Sequence, residues 1–340
     1  MTNDLQEGNI MRVTRRGFLG TGSIIPAVAI FPGAVLTGCG GGGSVGSGSG
    51  SGSGSDEGAA ETSGFAMVNG QKLYSVKLGR GPPVIFMHGG LGLDHQCFRP
   101  FVDPLADSAQ VVYYDHLGHG KSDRPANFKD LTLARLSSDC DGLATALGFD
   151  KFVLVAHSYG GIIAIDFALR FPHRLKGLVL SCTPANTASL VMRNPLGGTA
   201  SQQASLGRLF AGPSANSTDQ ALRTNWSGAV PLYYNNAAPP AGVLADVDQR
   251  TIYSATAFNR GNEILFSGYD FVPQLSGIQA PTAVHYGAGD LWRFGDNEKL
   301  ATNVPQATLK YFQNSGHWPF QEEKAEFLDH MRSFLASLPR

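Results

Sequence analysis

The chain has 340 residues, of which 42% are hydrophobic and 16% are charged. Its 26 Lys and Arg side chains nearly balance its 27 Asp and Glu side chains, which leaves a formal net charge of −1. This length allows one large domain with a substantial core, and the balanced charge gives no basic excess of the kind that binds nucleic acid. We therefore expect a folded domain and no nucleic-acid partner.

The N-terminal segment, residues 1–39, has the pattern of an export signal. Two arginines precede an apolar stretch that is too short, and too often broken by proline and glycine, for a transmembrane helix. Arg15 and Arg16, followed by Phe18 and Leu19, resemble the twin-arginine export motif, whose passengers cross the membrane already folded.

The sequence LTGC at 36–39 resembles the lipobox of bacterial lipoproteins, in which cleavage before the cysteine leaves a lipid-modified N-terminus. The resemblance implies that Cys39 is lipidated and that the protein is anchored at the periplasmic or cell-surface side of a membrane. Each buried acyl methylene contributes roughly 0.8 kcal/mol, so a multiply acylated cysteine would hold the domain at the surface without spanning it. The alternative is a chance Arg-Arg pair beside an apolar patch, with Cys39 an ordinary thiol.

Residues 40–64 form a Gly/Ser tract that predicts a flexible, solvated linker, so the folded domain is expected at 65–340. Beyond Cys39, three cysteines remain, Cys97, Cys140 and Cys182. No two of them have the spacing of metal ligands. We expect each to pack as a small buried apolar residue.

The folded part alternates apolar runs with amphipathic stretches. Strands are predicted at 83–88, 111–115, 152–157, 177–181 and 282–287. Helices are predicted at 133–148, 161–171 and 322–338. Continuous apolar strands that alternate with helices favour an α/β fold, with a mostly parallel sheet covered by helices on both faces.

The alternation stops between about 185 and 275, where Asn, Ser, Ala and Pro are frequent. This stretch is too long for a simple loop. We therefore expect an inserted cap over the strand ends.

Ligands of open parallel sheets bind beyond the carboxyl ends of the strands. Ser158, in the sequence HSYGG, directly follows one predicted strand and precedes a helix. A serine on such a sharp turn is held in strained geometry with its hydroxyl exposed to the cleft, as a nucleophile requires. Ala156 stands where the G-x-S-x-G pattern has its first glycine, and a plain strand-to-helix turn is the alternative.

The sequence HGGLG at 88–92 follows another predicted strand. Glycines there let a backbone N–H group approach a carbonyl oxygen, so Gly90 and the N–H of Tyr159 are the candidate oxyanion donors. The alternative is an ordinary glycine-rich turn. His88 is expected to support the loop, and Asp115 is expected to be structural.

Two further strand ends carry Asp290 and His317. A histidine there can take the proton of a serine hydroxyl, and a carboxylate can orient the imidazole. Asp296 is the nearest alternative to Asp290. The order oxyanion loop, Ser, Asp, His predicts a catalytic triad of Ser158, Asp290 and His317, in the chain order of α/β-hydrolases.

Residues 65–340 resemble the α/β-hydrolase superfamily and, within it, the prolyl iminopeptidase branch with its tricorn-associated aminopeptidases. The sequence HGGLGLDH is similar to the HGGPG loop of that branch, with Leu91 in place of proline. The segment at 113–125 is similar to its strand and G-x-G-x-S turn. The resemblance implies the α/β-hydrolase fold, a mostly parallel central sheet with helices on both faces and an inserted cap.

The segment at 257–271 resembles the cap segment in which this family carries an Asn-Glu pair. The resemblance implies that Glu263 binds the free amino group of the substrate. A carboxylate facing a cleft does favour an ammonium group, more strongly where water is excluded. The alternative is a solvated cap glutamate. The resemblance also implies a further acidic group on the cap, for which Asp246 and Asp248 are the candidates.

These features predict a serine hydrolase that acts through an acyl-enzyme, with no metal or organic cofactor. The leading substrates are small peptides or amino-acid amides with a free N-terminus, as for an aminopeptidase. The alternative enzyme is a carboxylesterase or lactonase for small neutral acyl compounds. The alternative outside catalysis is a silent hydrolase fold that serves as a tethered binding protein.

Overall fold

The computed structural model describes residues 11–12, 60–192, 197–294 and 297–339. Apart from residues 11–12, the predicted signal with Cys39 lies outside the described residues, as do residues 40–59 of the predicted linker and Asp296. The linker prediction was wrong at 62–64, because these residues pair as the start of a strand. None of the helices in these four ranges is long and apolar enough to cross a membrane.

The described chain alternates strands and helices through most of its length. The strands are β1 (Met11–Arg12), β2 (Thr62–Val68), β3 (Gln71–Leu78), β4 (Pro83–Met87), β5 (Gln110–Tyr114), β6 (Phe152–His157), β7 (Leu175–Ser181), β8 (Leu190–Met192), β9 (Thr282–Gly287), β10 (Trp292–Phe294) and β11 (Ala307–Phe312). The α-helices are α1 (Leu133–Ala146), α2 (Tyr159–Arg170), α3 (Ala200–Phe210), α4 (Asp219–Ala229), α5 (Val243–Arg250), α6 (Ala255–Leu265), α7 (Asn297–Asn303), α8 (Pro319–Glu322) and α9 (Lys324–Ser337).

Eight strands form the central sheet, in the order β11-β9-β7-β6-β4-β5-β3-β2. All neighbours pair in parallel except at β3, which runs antiparallel to both β2 and β5. Every residue of β6 and β9 is buried, which explains why these strands are mostly apolar instead of alternating. The predicted α/β fold with a mostly parallel sheet is confirmed.

Side-chain capping marks the first residues of two helices. Helix α1 begins after Thr132, whose hydroxyl accepts the N–H of Arg135 at 3.1 Å. Helix α3 begins with a capping box, in which Thr199 and Gln202 each satisfy a backbone N–H of the other. These contacts fix where each helix begins.

Helices α3 to α6 lie between β8 and β9, in the segment where the sequence predicts a cap. Helix α6 packs directly on the loop after β4. The N–H of Ser254 donates to the carbonyl oxygen of Gly92 at 2.8 Å, and a Cβ on Gly261 would lie 2.3 Å from Leu91 Cδ2. The inserted helices therefore form one wall of the cleft above the sheet.

Candidate active site

Ser158 lies between the last residue of β6 and the first residue of α2. Its backbone has φ 54° and ψ −123°, a conformation with positive φ that costs a non-glycine residue roughly 1–3 kcal/mol. Hydrogen bonds hold the turn in place. Ser158 donates its N–H to the carbonyl of Ser181 at 2.8 Å, and its own carbonyl accepts the N–H of Gly161 at 2.9 Å.

Small residues are needed around this turn because α2 approaches the sheet closely. A Cβ on Gly160 would lie 2.5 Å from the carbonyl oxygen of His88, and one on Gly161 would lie 1.9 Å from Thr183 Oγ1. Ala156, the departure from the G-x-S-x-G pattern, is fully buried within β6. Its methyl group is accommodated in the core, so the turn tolerates this substitution.

The glycine loop after β4 lies against Ser158. A Cβ on Gly89 would be 2.7 Å from Ser158 Cβ, and Gly90 has φ +59°, which favours glycine. Gly90, Ser158 and Tyr159 line one cavity. As the first residue of α2, Tyr159 has an N–H without a partner inside the helix. The two predicted oxyanion donors therefore belong to the same cleft as the serine.

Asp290 and His317 follow the neighbouring strands β9 and β11. His317 Nδ1 lies 2.7 Å from Asp290 Oδ2, and each side chain is 3% exposed. The other carboxylate oxygen of Asp290 accepts the N–H of Trp292 at 3.0 Å. A carboxylate at Nδ1 places a proton on that nitrogen and leaves Nε2 as the basic position. His317 lines the same cavity as Ser158.

Contacts from three directions hold the backbone around His317. Its N–H donates to the carbonyl of Tyr233 in the cap at 2.6 Å, and its carbonyl accepts Nε2–H of His157 at 2.8 Å. The Glu322 carboxylate accepts the N–H of Gly316 at 2.8 Å. Burial raises the pKa of Glu322 to about 7. The cap, β6 and α8 thus position one histidine.

His157 is a site residue that the sequence patterns do not identify. Its partner at Nε2 is a carbonyl oxygen, so Nε2 carries the proton. Burial lowers the pKa of His157 well below its usual value, and the ring is therefore neutral. Its Nδ1 has no hydrogen-bond partner among the described residues.

One group of side chains has the chemistry of metal ligands. The ligand atoms of His157, Cys182 and His317 lie within 4.8 Å of one another. His317 Nδ1 already faces Asp290 Oδ2 at 2.7 Å, so an ion held there would compete with the base role that the sequence predicts for this ring.

Cys97, Cys140 and Cys182 are all buried and free of disulfides, as predicted. Cys39 lies outside the described residues.

His88 supports the glycine loop, as the sequence predicts. Its Nδ1 donates to the carbonyl of Gly89 at 2.8 Å, and its Nε2 accepts the N–H of His116 at 3.2 Å. His116 in turn donates through Nε2 to the carbonyl of His88 at 3.0 Å. Burial lowers the pKa of His88 well below the usual range and that of His116 to about 4. Both rings are neutral supports for the loop.

Asp115 is also structural, as expected. Its Oδ1 lies 2.7 Å from Nδ1 of His95, and its Oδ2 accepts the N–H of Lys121 at 2.8 Å. Burial alone would raise the pKa of Asp115, but the hydrogen bonds outweigh it and lower the pKa. The carboxylate thus ties together the loops after β4 and β5.

The cavity at Ser158, of about 60 Å³, is lined mainly by apolar and aromatic side chains. They are contributed by Leu91, Ile162, Leu190, Phe210, Trp226, Tyr233, Phe258, Leu265, Trp292 and Trp318. We call it the serine cavity. Such a lining suits an uncharged acyl group next to the scissile carbonyl.

Glu263 does not reach the serine cavity. Its carboxylate pairs with Arg260 Nη1 at 3.0 Å and is 43% exposed. It lines a separate cavity, which shares only Phe210 and Asn262 with the serine cavity. Successive helical residues point about 100° apart. On α6, it is Asn262 of the predicted Asn-Glu pair that lines the cavity of Ser158.

A further cavity, of about 200 Å³, lies between the cap and the loop after the glycine turn. We call it the cap cavity. Its lining includes Leu93, Asp94, Trp226, Asp248, Tyr253 and Trp318. Asp248 is paired with Arg223 at 2.7 Å. Asp246, the other acidic candidate, pairs with Arg250 at 2.5 Å and is not part of this lining.

A strained serine at a strand-to-helix turn, a His-Asp pair on adjacent strand ends and an inserted cap define a class of hydrolase. The chain belongs to the alpha/beta hydrolase fold family, whose model matches residues 82–324. It is similar to a proline iminopeptidase of Saccharolobus solfataricus, with 27% identity over 279 residues, 78% of this chain and 87% of the relative. It is also similar to a 2-hydroxy-6-oxo-6-phenylhexa-2,4-dienoate hydrolase of Burkholderia cepacia, with 28% identity over 289 residues, 81% of this chain and 97% of the relative.

Solved structures show the same architecture. The enol-lactonase of Burkholderia xenovorans LB400 superposes with a TM-score of 0.65 and 22% identity, covering 81% of this chain and all of the lactonase. At that identity the likeness concerns the fold alone. Est816, an N-acyl homoserine lactone degrading enzyme, superposes with a TM-score of 0.62 and 25% identity over 80% of this chain and all of Est816. The chain is thus an α/β-hydrolase, within a family whose members differ in substrate.

Proposed function

We propose that the chain is a serine hydrolase that forms an acyl-enzyme at Ser158. The observation that carries the proposal is the positive-φ serine beside the buried His317–Asp290 pair, whose Nδ1–Oδ2 distance is 2.7 Å. His317 Nε2 takes the Ser158 hydroxyl proton as Oγ attacks the substrate carbonyl carbon. The N–H groups of Gly90 and Tyr159 bind the oxyanion.

Collapse of the tetrahedral intermediate expels the leaving group, which receives the proton from His317. Water then attacks the acyl-enzyme and gives a proton to the same Nε2. The acid product departs, and Ser158 regains its hydroxyl proton. Asp290 keeps the imidazole in the tautomer that both half-reactions need and stabilises the imidazolium between them.

Labelling with a fluorophosphonate probe tests this proposal against a silent binding protein. A working triad makes Ser158 reactive, so the probe should attach to the parent chain and not to a Ser158→Ala variant. Ser333→Ala, at an exposed position of α9, is the matched control and should label like the parent. An unlabelled parent chain would support the silent alternative.

For the substrate, we propose small peptides or amino-acid amides with a free N-terminus. The support is sequence similarity to proline iminopeptidases, including that of Heyndrickxia coagulans, with 27% identity over 82% of this chain and 99% of the relative. A screen of aminoacyl-nitroanilides against simple esters tests the proposal. Turnover of the esters alone would overturn it.

A carboxylesterase or lactonase acting on small neutral acyl compounds is the second candidate. Two observations favour it: the serine cavity has an apolar lining, and Glu263 is paired with Arg260 outside that cavity. Glu263→Gln tests whether Glu263 binds the amine. Loss of aminoacyl-nitroanilide turnover with intact p-nitrophenyl acetate cleavage supports amine binding by Glu263, whereas equal effects on both substrates argue against it.

We also propose that the chain is exported and anchored at a membrane surface through a lipidated Cys39. The support is the order of the twin-arginine pattern, the lipobox and the Gly/Ser tract in the sequence. Metabolic labelling with radioactive palmitate tests this. Label should enter the parent chain and a Cys97→Ala control and be lost in Cys39→Ala. Label that persists in Cys39→Ala would contradict the proposal.

A further inference from the structure

The cap cavity adjoins the serine cavity. The two share the indole side chains of Trp226 and Trp318, and Trp318 directly follows the triad histidine. The larger volume belongs to the cap cavity, about 200 Å³ against about 60 Å³. A substrate with its carbonyl at Ser158 would therefore lie next to the cap cavity.

Asp94 places an uncompensated carboxylate in the wall of the cap cavity. Its side chain is buried, with 2% of the residue exposed. Oδ1 accepts the N–H of Gln96 at 3.0 Å, and Oδ2 accepts the N–H of Ile252 at 2.8 Å. Each carboxylate oxygen has two acceptor sites, so capacity remains on both. In the described part of the chain, no cationic side chain forms a salt bridge with Asp94.

The other carboxylate of the cap cavity is already neutralised. Arg223 pairs with Asp248 at 2.7 Å, and Tyr253 and Ser227 donate their hydroxyl groups to it at 2.7 and 3.0 Å. Of the described residues that line this cavity, Asp94 is thus the carboxylate whose charge is left for a ligand.

The groups around Asp94 determine the pH range in which its carboxylate is charged and can bind a cation. Burial and the nearby Asp115 raise the pKa of Asp94 to about 6, so the group is ionised at pH 8 and neutral at pH 5. The other titratable or charged groups that act on it or respond to it are His95, Cys97 and Arg124. His95 Nδ1 lies 2.7 Å from Asp115 Oδ1, so this ring faces the Asp115 carboxylate.

Trp318 supplies a second, independent sign of a ligand at this boundary. Its side chain lines both cavities and the residue is 4% exposed, yet its indole N–H has no hydrogen-bond partner in the described ranges. A buried donor without a partner costs roughly 1–3 kcal/mol. A substrate oxygen that lies between the two cavities would satisfy it.

We propose that the cap cavity binds an ammonium-bearing, otherwise hydrocarbon part of the substrate, with Asp94 as its counter-ion. The proposal rests on the proposed hydrolase function and gives Asp94 the amine-binding role that the sequence resemblance suggests for Glu263. A carboxylate in surroundings of low polarity attracts a cation more strongly than one in water does. The same charge repels a carboxylate-bearing group, so anionic substrates are excluded.

Calorimetric titration of the full-length Ser158→Ala variant tests this without turnover. The probes are n-hexylammonium, 1-hexanol and hexanoate at pH 8. We expect hexylammonium to bind at least tenfold more tightly than 1-hexanol and hexanoate to bind most weakly. Adding Asp94→Asn should remove the advantage of the ammonium, whereas adding Glu263→Gln, the matched control, should leave it unchanged. Equal affinities for ammonium and alcohol, or loss of binding with Glu263→Gln alone, would overturn the proposal.

The pH dependence gives a second readout, in case Asp94→Asn unfolds for want of an acceptor for the Ile252 N–H. In Ser158→Ala, hexylammonium should bind several-fold more weakly at pH 5 than at pH 8 because Asp94 takes up a proton, while 1-hexanol should bind equally at both. A pH-independent ammonium affinity would contradict the proposal. The outcome is separable from that of the proposed function, because an inactive parent enzyme would refute hydrolysis and leave these binding results standing.

Discussion

The His157 ring donates from Nε2 to the backbone carbonyl of His317 at 2.8 Å. This bond joins the residue before the proposed nucleophile, Ser158, to the residue that carries the proposed general base. The ring also packs on Trp318, with 4.7 Å between ring centroids. Ser158 and His317 are thus fixed relative to each other through the protein interior as well as across the cleft.

His157→Phe tests this link because it keeps an aromatic ring and removes the donor. The net contribution of such a bond is about 1 kcal/mol, so we expect kcat for p-nitrophenyl acetate to fall about fivefold with KM nearly unchanged. His173→Ala, at an exposed position, is the control. An unchanged kcat in His157→Phe would show that the bond does not position the base.

Asp290→Asn should lower kcat by roughly three to four orders of magnitude, because an amide facing Nδ1 favours the wrong imidazole tautomer. Steady-state kinetics with p-nitrophenyl acetate measures this. Asp107→Asn is the control, since that side chain is 80% exposed. If kcat falls less than tenfold, the carboxylate that orients His317 lies elsewhere, and Asp296 would be the first candidate.

Alanine variants are usually more stable than glycine variants, but the backbone strain at Ser158 predicts the opposite order at this position. Ser158→Gly should be more stable than Ser158→Ala by about 1 kcal/mol, because glycine adopts φ 54° without strain. At Ser333, inside α9, Ser→Gly should be less stable than Ser→Ala by roughly 0.5–1 kcal/mol. Urea unfolding of the four variants measures both differences, and the same sign at both positions would contradict the strained turn.

The raised pKa of Glu322 predicts that its contribution to the free energy of unfolding depends on pH. Burial raises its pKa from the usual 4.5 to about 7, so the folded state holds a proton that the unfolded state releases between these values. The contribution of this group is therefore present below about pH 4.5 and is lost as the pH rises to 7. The difference in unfolding free energy between the parent and Glu322→Gln, measured in urea, should favour the parent more at pH 5 than at pH 8. A difference that favours it more at pH 8 would contradict the raised pKa.

Most of the fold and of the candidate site could be predicted from the sequence, because the site residues follow directly after predicted strands. Ser158, Asp290 and His317 each follow an apolar run, and parallel strands deliver their carboxyl ends to one edge of the sheet. The glycine loop with Gly90 also follows a predicted strand. Periodicity and chain order were sufficient for these residues because their positions follow from the sheet alone.

The side chains that the cap presents to the cleft could not be predicted from the sequence. A resemblance identified the segment around Glu263, but the rotation of α6 decides which side chain faces the cleft, and Asn262 is the one that lines the serine cavity. Asp94 lies within the glycine-loop sequence, so its position near the cleft follows from the sequence. Its burial against Ile252 depends on tertiary contacts that no local pattern encodes. The same holds for the bond between His157 and His317.

Mass spectrometry of the enzyme quenched during turnover of p-nitrophenyl acetate tests the central claim most directly. We predict one acetyl group on the peptide that contains Ser158, absent from Ser158→Ala, which should also lose turnover. Continued turnover in Ser158→Ala, or an acetyl group on another residue of the active parent enzyme, would contradict the assignment of Ser158 as the nucleophile.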